Sequence, residues 1–369
     1  MGSPLLRVGI VGAGNISGQY SAGLARLPQL QVTAVCDLQA DRAAALAAQH
    51  EGARVLAWAD LLAADDVDVV LVLTLPGTHA DVALAALAAG KHVYVEKPLA
   101  LSVAEGREVV KAAAGAGLRV GCAPDTVLGT GVQTARAVVD AGRIGTPHSA
   151  TAFMTTPGHE RWHPDPEFYY QPGGGPLLDM GPYYLTSLVH LLGPVARVVG
   201  ASARPSATRT IGQGPRAGTS FEVAVDSTVT GILEHASGAL STLVMSFDIW
   251  AARLPRIEVY GTGGSLSVPD PNTFAGTVEM YSAATPDEGW VDVAGTAGYV
   301  DSGRGHGLAD LALAIAADQP HRADDEVALH VLDIMESVQQ AADTHASVEL
   351  STTCERPAAV AGTVDLARL

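Results

Sequence analysis

A glycine-rich turn between an apolar run and a helical pattern constrains the fold of this chain more than any other feature of its sequence. Residues 5–11 form an apolar run that only Arg7 interrupts. The turn that follows contains Gly12, Gly14, Asn15 and Ile16, and a helical pattern comes after it. A strand, a glycine-rich turn and a helix in this order are typical of dinucleotide-binding sites. Gly12 permits the tight turn, and Gly14 permits the backbone to approach a pyrophosphate, which the helix N-terminus would bind.

An acidic residue stands at the spacing that such a site requires. A second apolar strand is predicted over residues 31–36 and ends in Asp37. An acid at this place binds the ribose hydroxyls of the cofactor; the alternative is that Asp37 caps the helix predicted over residues 40–49. Its position at the strand end favours the ribose, and therefore NAD. Ser17 replaces the usual third glycine, but it is small and Gly18 follows it.

The first third of the chain continues to alternate between strand and helix patterns. Strands are predicted near residues 54–56, 68–73, 91–95 and 118–122, with helices near 60–64, 78–89 and 102–115 between them. This alternation indicates an α/β fold with a doubly wound parallel sheet. Ligands bind beyond the carboxyl ends of the strands in such sheets. The candidates at those ends are Asp37, Thr74, Pro76, Glu96, Lys97 and Asp125.

The charge and the cysteines exclude several classes of protein. The net charge is −17, from 39 acidic and 22 basic residues, which argues against nucleic acid and anionic membrane surfaces as partners. The three cysteines are far apart, so they form neither a disulfide framework nor a metal cluster, and no other metal-ligand spacing occurs. With no signal peptide and no apolar run of membrane-spanning length, a cytoplasmic protein is expected.

Three segments resemble the glucose–fructose oxidoreductase, inositol dehydrogenase and MocA (Gfo/Idh/MocA) family. They are TLPGTH at residues 74–79, GKHVYVEKP at 90–98 and GGGPLLDMGPY at 173–183. The resemblance extends to about residue 336 and thus covers almost the whole chain. It implies a Rossmann domain over residues 1–125 and an α+β domain with an open, mostly antiparallel sheet over residues 126–369. The second domain would frame the substrate and often forms the interface of a homo-oligomer, a dimer or tetramer.

The same resemblance assigns the catalytic residues. Lys97 corresponds to the family's catalytic lysine beside the nicotinamide, and the bond to Pro98 is a candidate cis peptide. His79 would pack near the nicotinamide. Asp179 and Tyr183 stand four residues apart on a predicted helix, so they share a face. Tyr183 replaces the family's usual histidine, as in the glucose–fructose oxidoreductase branch.

The role of Tyr183 depends on its pKa. A tyrosine accepts a proton near neutral pH only if its pKa falls, and the Lys97 ammonium would lower it. The alternative is that Tyr183 packs against Tyr184 and only hydrogen-bonds the substrate.

Further residues are weaker candidates for the substrate site. Asp125 would make a polar contact with the substrate, and Trp162 and His163 form either a sugar-stacking wall or a plain loop. Arg161 or Arg304 would suit an anionic sugar. The remaining expectations are structural: solvated Arg304 and His306 at a helix end, a buried His190, a hinge near residues 124–128, a mobile loop over 205–218 and an amphipathic helix over 326–342.

These residues predict an NAD-dependent dehydrogenase of a sugar or polyol. Tyr183, assisted by Lys97, would remove a hydroxyl proton as hydride passes to the nicotinamide, while Asp179 orients the substrate or the lysine. One alternative is an NAD-dependent glycosidase that oxidises the sugar transiently, eliminates the aglycone, adds water and returns the hydride, for example on a sulfoquinovoside. A cofactor-binding module without turnover is a third possibility, against which Lys97 and Asp179 argue.

Overall fold

A six-stranded parallel sheet forms the first third of the chain in the computed structural model, which describes residues 6–369. The predicted first strand begins at residue 5, which lies outside the described residues. The strands are β1 (Leu6–Val11), β2 (Leu30–Cys36), β3 (Arg54–Val55), β4 (Val69–Val72), β5 (His92–Val95) and β6 (Val120–Cys122). Their order, β3-β2-β1-β4-β5-β6, confirms the predicted Rossmann fold.

Five helices connect these strands near the predicted places. They are α1 (Ser17–Leu24), α2 (Ala40–Ala47), α3 (Trp58–Ala63), α4 (His79–Ala88) and α5 (Val103–Ala116). The sequence defines α5 most clearly, because the Ser102 side chain and Glu105 form a capping box at its start. The strand order reverses between β1 and β4, and a crevice for ligands opens at such a reversal. The glycine-rich turn follows β1 there, and Thr74 follows β4.

A nine-stranded mixed sheet forms the second half of the fold. In spatial order its strands are β16 (Trp290–Val293), β15 (Val278–Ser282), β14 (Gly264–Val268), β13 (Ile257–Gly261), β7 (Pro147–Thr155), β12 (Leu240–Ser246), β11 (Thr228–His235), β8 (Val195–Ala203) and β18 (Val348–Glu349). β7 and β12 pair in parallel and the other neighbours are antiparallel. The predicted α+β architecture is thus confirmed.

Helices cover one face of this sheet. They include α7 (Pro176–Leu192), which contacts β7 and β12, and α9 (Asp325–Thr344), which contacts β8. α9 confirms the predicted amphipathic helix. Two further helices are α6 (Thr130–Asp140) and α8 (His306–Ala316). A small parallel pair is formed by β17 (Gly298–Tyr299) and β19 (Thr363–Val364). No helix within residues 6–369 has both the length and the hydropathy that crossing a membrane requires.

The segment over residues 205–218 differs from the plain loop that its composition predicts. It contains β9 (Thr208–Thr210), which pairs with β10 (Ser220–Glu222) as an antiparallel ribbon. Arg209, in β9, is nearly buried and forms ion pairs with Glu160 and Asp248. These partners lie far along the chain, so local composition carried no sign of the ribbon.

The two sheets lie on either side of the predicted domain boundary between residues 125 and 126. The predicted hinge contains a short 3-10 helix, Asp125–Leu128, whose side chains are all buried. The chain also returns to the first sheet after α8: the backbone N–H of Cys122 donates to the carbonyl oxygen of Ala323 at 2.9 Å. Residues 323–324 therefore cover the β6 edge of the Rossmann sheet.

Candidate active site

The glycine-rich turn has the geometry that its sequence predicts. Gly12 has a φ of 101°, and a Cβ there would lie 2.7 Å from the carbonyl carbon and oxygen of Leu73. Only glycine fits such a position. Gly14 and Asn15 are exposed, and no atom lies within 4 Å of a Cβ built on Gly14. The turn, which continues through Ile16 into α1, thus presents open backbone at the carboxyl edge of the sheet.

Asp37 is joined to this turn and does not cap the next helix. Its Oδ2 accepts a hydrogen bond from the backbone N–H of Ala13 at 2.7 Å, and its Oδ1 accepts one from that of Gln39. Gln39, rather than Asp37, is the N-cap residue of α2. The carboxylate therefore lies beside the glycine-rich turn, where the ribose interpretation needs it.

The His79 ring lies between two loops at the carboxyl edge, one containing Thr74 and the other Pro98. Its Nδ1 lies 2.7 Å from the carbonyl oxygen of Pro98, and its Nε2 lies 3.1 Å from that of Thr74. Burial lowers the pKa of His79 and favours the neutral ring. The Lys97–Pro98 bond is cis, as the sequence suggested. A neutral imidazole has one N–H and donates to only one of these carbonyl oxygens, so the ring packs between the Thr74–Pro76 loop and the segment that follows Lys97.

Lys97 and Asp179 form a largely buried ion pair at the carboxyl edge of the Rossmann sheet. The Nζ of Lys97 donates to Oδ1 of Asp179 at 2.8 Å and to the carbonyl oxygen of the same residue at 2.6 Å. The two side chains are only 15% and 16% exposed. Burial disfavours both charges, but mutual attraction outweighs it, so the pKa of Lys97 is raised and that of Asp179 is lowered. The pair is therefore an ammonium and a carboxylate at neutral pH.

Tyr183 lies next to this pair, but its hydroxyl has a different partner. Lys97 Nζ is 5.4 Å from the centre of the Tyr183 ring, and the hydroxyl accepts a hydrogen bond from Nη2 of Arg304 at 2.8 Å. Burial raises the pKa of Tyr183 despite the opposing charges of Lys97 and Arg304. The prediction that Lys97 lowers this pKa is wrong in its net direction, because desolvation exceeds the attraction.

A buried polar group lies beneath the site and corrects several expectations. Arg304 is 8% exposed, with Nη1 3.5 Å from Asp125 and 4.0 Å from Glu96, so its predicted solvation is wrong. His306 is likewise buried. Asp125 is completely buried and accepts hydrogen bonds from the backbone at residues 305 and 307, so it does not reach a substrate.

The side chain of Glu96 also points to the interior, away from the predicted contact with the cofactor. It accepts hydrogen bonds from the Tyr20 hydroxyl and from the backbone N–H of Lys97, both at 2.9 Å. Because it is bound on both oxygens and buried, its carboxylate holds the lysine in place instead of contacting the cofactor.

His159 is the functional candidate that the sequence reasoning missed. Its Nε2 lies 3.0 Å from Oδ2 of Asp179, so Asp179 joins Lys97 to an imidazole. The ring packs between Trp162, Tyr169 and Phe247. The absence of a histidine at position 183 was a usable signal, because the loop between β7 and α7 contains histidines that could replace it.

Three other predicted substrate residues lie on the same loop. Trp162 is exposed and contacts the His159 ring, whereas His163 is buried and its Nδ1 accepts a hydrogen bond from the backbone of Asp165. Arg161 stacks over Trp250 at 4.4 Å. The structure thus brings Trp162 to the rim of the site and leaves Arg161 with an aromatic partner of its own.

His190 is structural, as predicted. It is fully buried, and burial lowers its pKa to about 3.

Comparison with known proteins agrees with this geometry. A family model described as an oxidoreductase family with an NAD-binding Rossmann fold matches residues 6–123, and the GFO/IDH/MocA C-terminal domain matches residues 132–267. The chain belongs to the Gfo/Idh/MocA family. Its first domain is therefore an NAD-binding domain.

Several members of the Gfo/Idh/MocA family resemble the chain along much of its length. It is 31% identical to a 1,5-anhydro-D-fructose reductase from Ensifer adhaerens over 70% of this chain and 74% of that protein. It is 37% identical to inositol 2-dehydrogenase 3 from Saccharopolyspora erythraea, but over 44% of this chain and about half (54%) of that protein. Levoglucosan dehydrogenase has the same fold, with a TM-score of 0.80 and 21% identity over 95% of this chain and 99% of that one.

Proposed function

We propose that the chain is an NAD-dependent dehydrogenase that oxidises a hydroxyl-bearing carbon of a sugar or polyol. The observation that carries this proposal is the largely buried Lys97–Asp179 pair at the carboxyl edge of an NAD-binding sheet. Relatives named for acting on inositol, anhydrofructose and levoglucosan support the substrate class. Gly12, Gly14, Asn15, Ile16 and Asp37 would hold the pyrophosphate and the ribose, with Thr74, Pro76 and His79 near the nicotinamide.

The charges of the site define what each residue does. NAD, when bound at this edge of the sheet, would supply the acceptor for the hydride of the carbinol carbon. The Lys97 ammonium donates a hydrogen bond to the substrate oxygen and stabilises negative charge on it as the hydroxyl proton leaves. Asp179 holds that ammonium in place, and the Tyr183–Arg304 pair packs beside it.

The hydroxyl proton requires an acceptor. Lys97 is already protonated, and burial keeps the proton on Tyr183. His159 is the imidazole in contact with the pair, since its Nε2 lies 3.0 Å from Oδ2 of Asp179. We therefore propose that Nζ of Lys97 accepts the hydroxyl proton as one of its own protons passes to Oδ1 of Asp179, and that the Asp179 carboxyl group passes a proton from Oδ2 to Nε2 of His159. The carboxylate is thereby restored and the imidazole carries the proton, which replaces the role predicted for Tyr183.

The test is a screen of sugars and polyols for NADH formation, with Lys97→Met as the diagnostic variant. We expect stoichiometric NADH and ketone from the wild-type protein. Lys97→Met should bind NAD within a few-fold of wild type and lose about two orders of magnitude in turnover. Lys111→Met, an exposed lysine of α5, is the matched control. Normal turnover by Lys97→Met would refute the proposed chemistry.

The same screen decides the glycosidase alternative. Aryl glycosides are added in deuterated water with NAD. Release of the aglycone without net NADH, with deuterium beside the oxidised carbon, would replace the dehydrogenase assignment. NADH from free sugar with no glycoside cleaved would eliminate the alternative.

A further inference from the structure

Two half-exposed aromatic rings lie on the loop between β7 and α7. Trp162 is 54% exposed and Phe168 is 47% exposed. Both contact the buried ring of His163, at centroid distances of 5.4 Å and 5.5 Å. The two exposed rings therefore flank one buried ring, and together we call them the Trp162–Phe168 platform.

Two continuous paths join this platform to the catalytic pair. The Trp162 ring lies 5.2 Å from that of His159, whose Nε2 is 3.0 Å from Asp179. The Phe168 ring lies 4.0 Å from that of Tyr169, which in turn lies 4.5 Å from His159. Along both paths the exposure of the rings increases from the buried His159 to the exposed Trp162 and Phe168. The platform thus begins one ring away from the groups that hold the reacting sugar.

Backbone hydrogen bonds and an ion pair connect the loop that carries the platform to its neighbours. The backbone N–H of Gly212 donates to the carbonyl oxygen of Glu160 at 2.7 Å, and the Glu160 carboxylate is paired with Arg209. On the other side, the backbone N–H of Gly175 donates to the carbonyl oxygen of Tyr169 at 2.7 Å. Two half-exposed aromatic rings fixed on such a scaffold are a preformed surface for a ligand.

The chemistry of the platform selects for a ring. Aromatic side chains bind the apolar faces of other rings by stacking. The exposed Trp250 differs, because the guanidinium of Arg161 already covers its ring. Resting on the dehydrogenase assignment above, we propose that the substrate is a glycoside. Its oxidised sugar lies at Lys97, and its second ring, a further sugar or an aromatic aglycone, stacks on Trp162 and Phe168.

The experiment compares methyl, phenyl and disaccharide glycosides of one sugar. Their binding to the NADH-loaded enzyme is measured by calorimetry, so no turnover is needed. We expect both two-ring ligands to bind about 10-fold more tightly than the methyl glycoside. Trp162→Ala and Phe168→Ala should each weaken only the two-ring ligands, by about 3- to 10-fold, and Trp162→Phe should retain most of the affinity. Trp290→Ala, at the far edge of the second sheet, is the control.

Each other outcome overturns the inference. Equal affinity across the series, equal losses for all three ligands, or no binding of either two-ring ligand would show that there is no outer subsite. A change of oligomeric state in Trp162→Ala, with ligand affinities unchanged, would make the platform a contact between copies. If ring-dependent binding holds but no sugar yields NADH, the dehydrogenase assignment fails while the subsite stands.

Discussion

Replacing the buried Arg304 by methionine gives the most informative test of how the site is supported. The guanidinium is 8% exposed and lies 3.5 Å from the fully buried carboxylate of Asp125. Methionine retains most of the volume but removes the charge, so Asp125 is left without its ion-pair partner. Removing one partner of a buried pair costs about 3–5 kcal/mol. We expect Arg304→Met to lower the free energy of unfolding at pH 7 by that amount.

The loss should depend on pH, because it arises from a carboxylate. Burial raises the pKa of Asp125, and the charge of Arg304 opposes that rise. Without the arginine the folded-state pKa rises further above the unfolded value, which is about 3.9. A carboxyl group whose pKa is higher in the folded state lowers the free energy of unfolding as the pH rises from its unfolded-state pKa towards its folded-state pKa. The deficit of Arg304→Met should therefore be larger at pH 8 than at pH 5.

The assay is urea unfolding at pH 5 and 8. It compares the wild type, Arg304→Met, Asp125→Asn and the double variant Asp125→Asn/Arg304→Met. The double variant should recover at least about 1 kcal/mol of the loss, since no buried charge at Asp125 remains. Arg54→Met breaks the exposed pair with Asp66 and should cost less than about 1 kcal/mol. A deficit in Arg304→Met below that of Arg54→Met, or one independent of pH, would refute the reasoning.

Three further predictions concern the cofactor, the proton acceptor and the assembly. Asp37 should make NAD bind more tightly than NADP, and Asp37→Ser should reduce the difference between the two affinities. Fluorescence titration of both cofactors checks this, and equal affinities in the wild type would contradict it. His159→Gln retains a hydrogen-bond donor to Asp179 but cannot take up a proton. Steady-state kinetics should therefore show a kcat about 100-fold lower and a KM within a few-fold of the wild-type value. An unchanged kcat would remove His159 from the mechanism. Ile232 pairs with Val199 on the open face of the second sheet, where both are exposed. We expect this face to join copies of the chain, so Ile232→Glu should reduce the mass measured by light scattering, and a monomeric wild type would contradict that.

The residues that lie where the sequence predicted are those whose position is set by local structure. Gly12 and Asp37 belong to a strand–turn–helix unit, so spacing alone places them. Lys97 follows directly from the strand that carries it. His159 and Arg304 were missed or misjudged because their partners are distant: 20 residues separate His159 from Asp179, and 121 separate Arg304 from Tyr183. Such contacts arise only when separate elements pack.

Burial also reversed predictions that were sound by position. Asp125 follows the last strand of the Rossmann sheet, where ligands usually bind, but it is completely buried and its carboxylate accepts hydrogen bonds from the backbone at residues 305 and 307. Tyr183 lies beside an ammonium, yet desolvation decides its pKa. The composition of residues 205–218 is typical of a loop. It could not reveal β9, because the carboxylates that pair with Arg209 belong to other segments.

The return of the chain to the β6 edge has a consequence for biosynthesis. His321 binds the carbonyl oxygen of Val120 at 2.9 Å, a contact across 201 residues, and residues 323–324 occupy the open side of the same strand. Until they arrive, a nascent Rossmann sheet exposes unpaired backbone groups, which are a site for aggregation. Long-range closure of this kind is slow. The Rossmann sheet is therefore completed only after residues 323–324 have been synthesised, and a fragment ending at residue 125 would retain an unprotected edge.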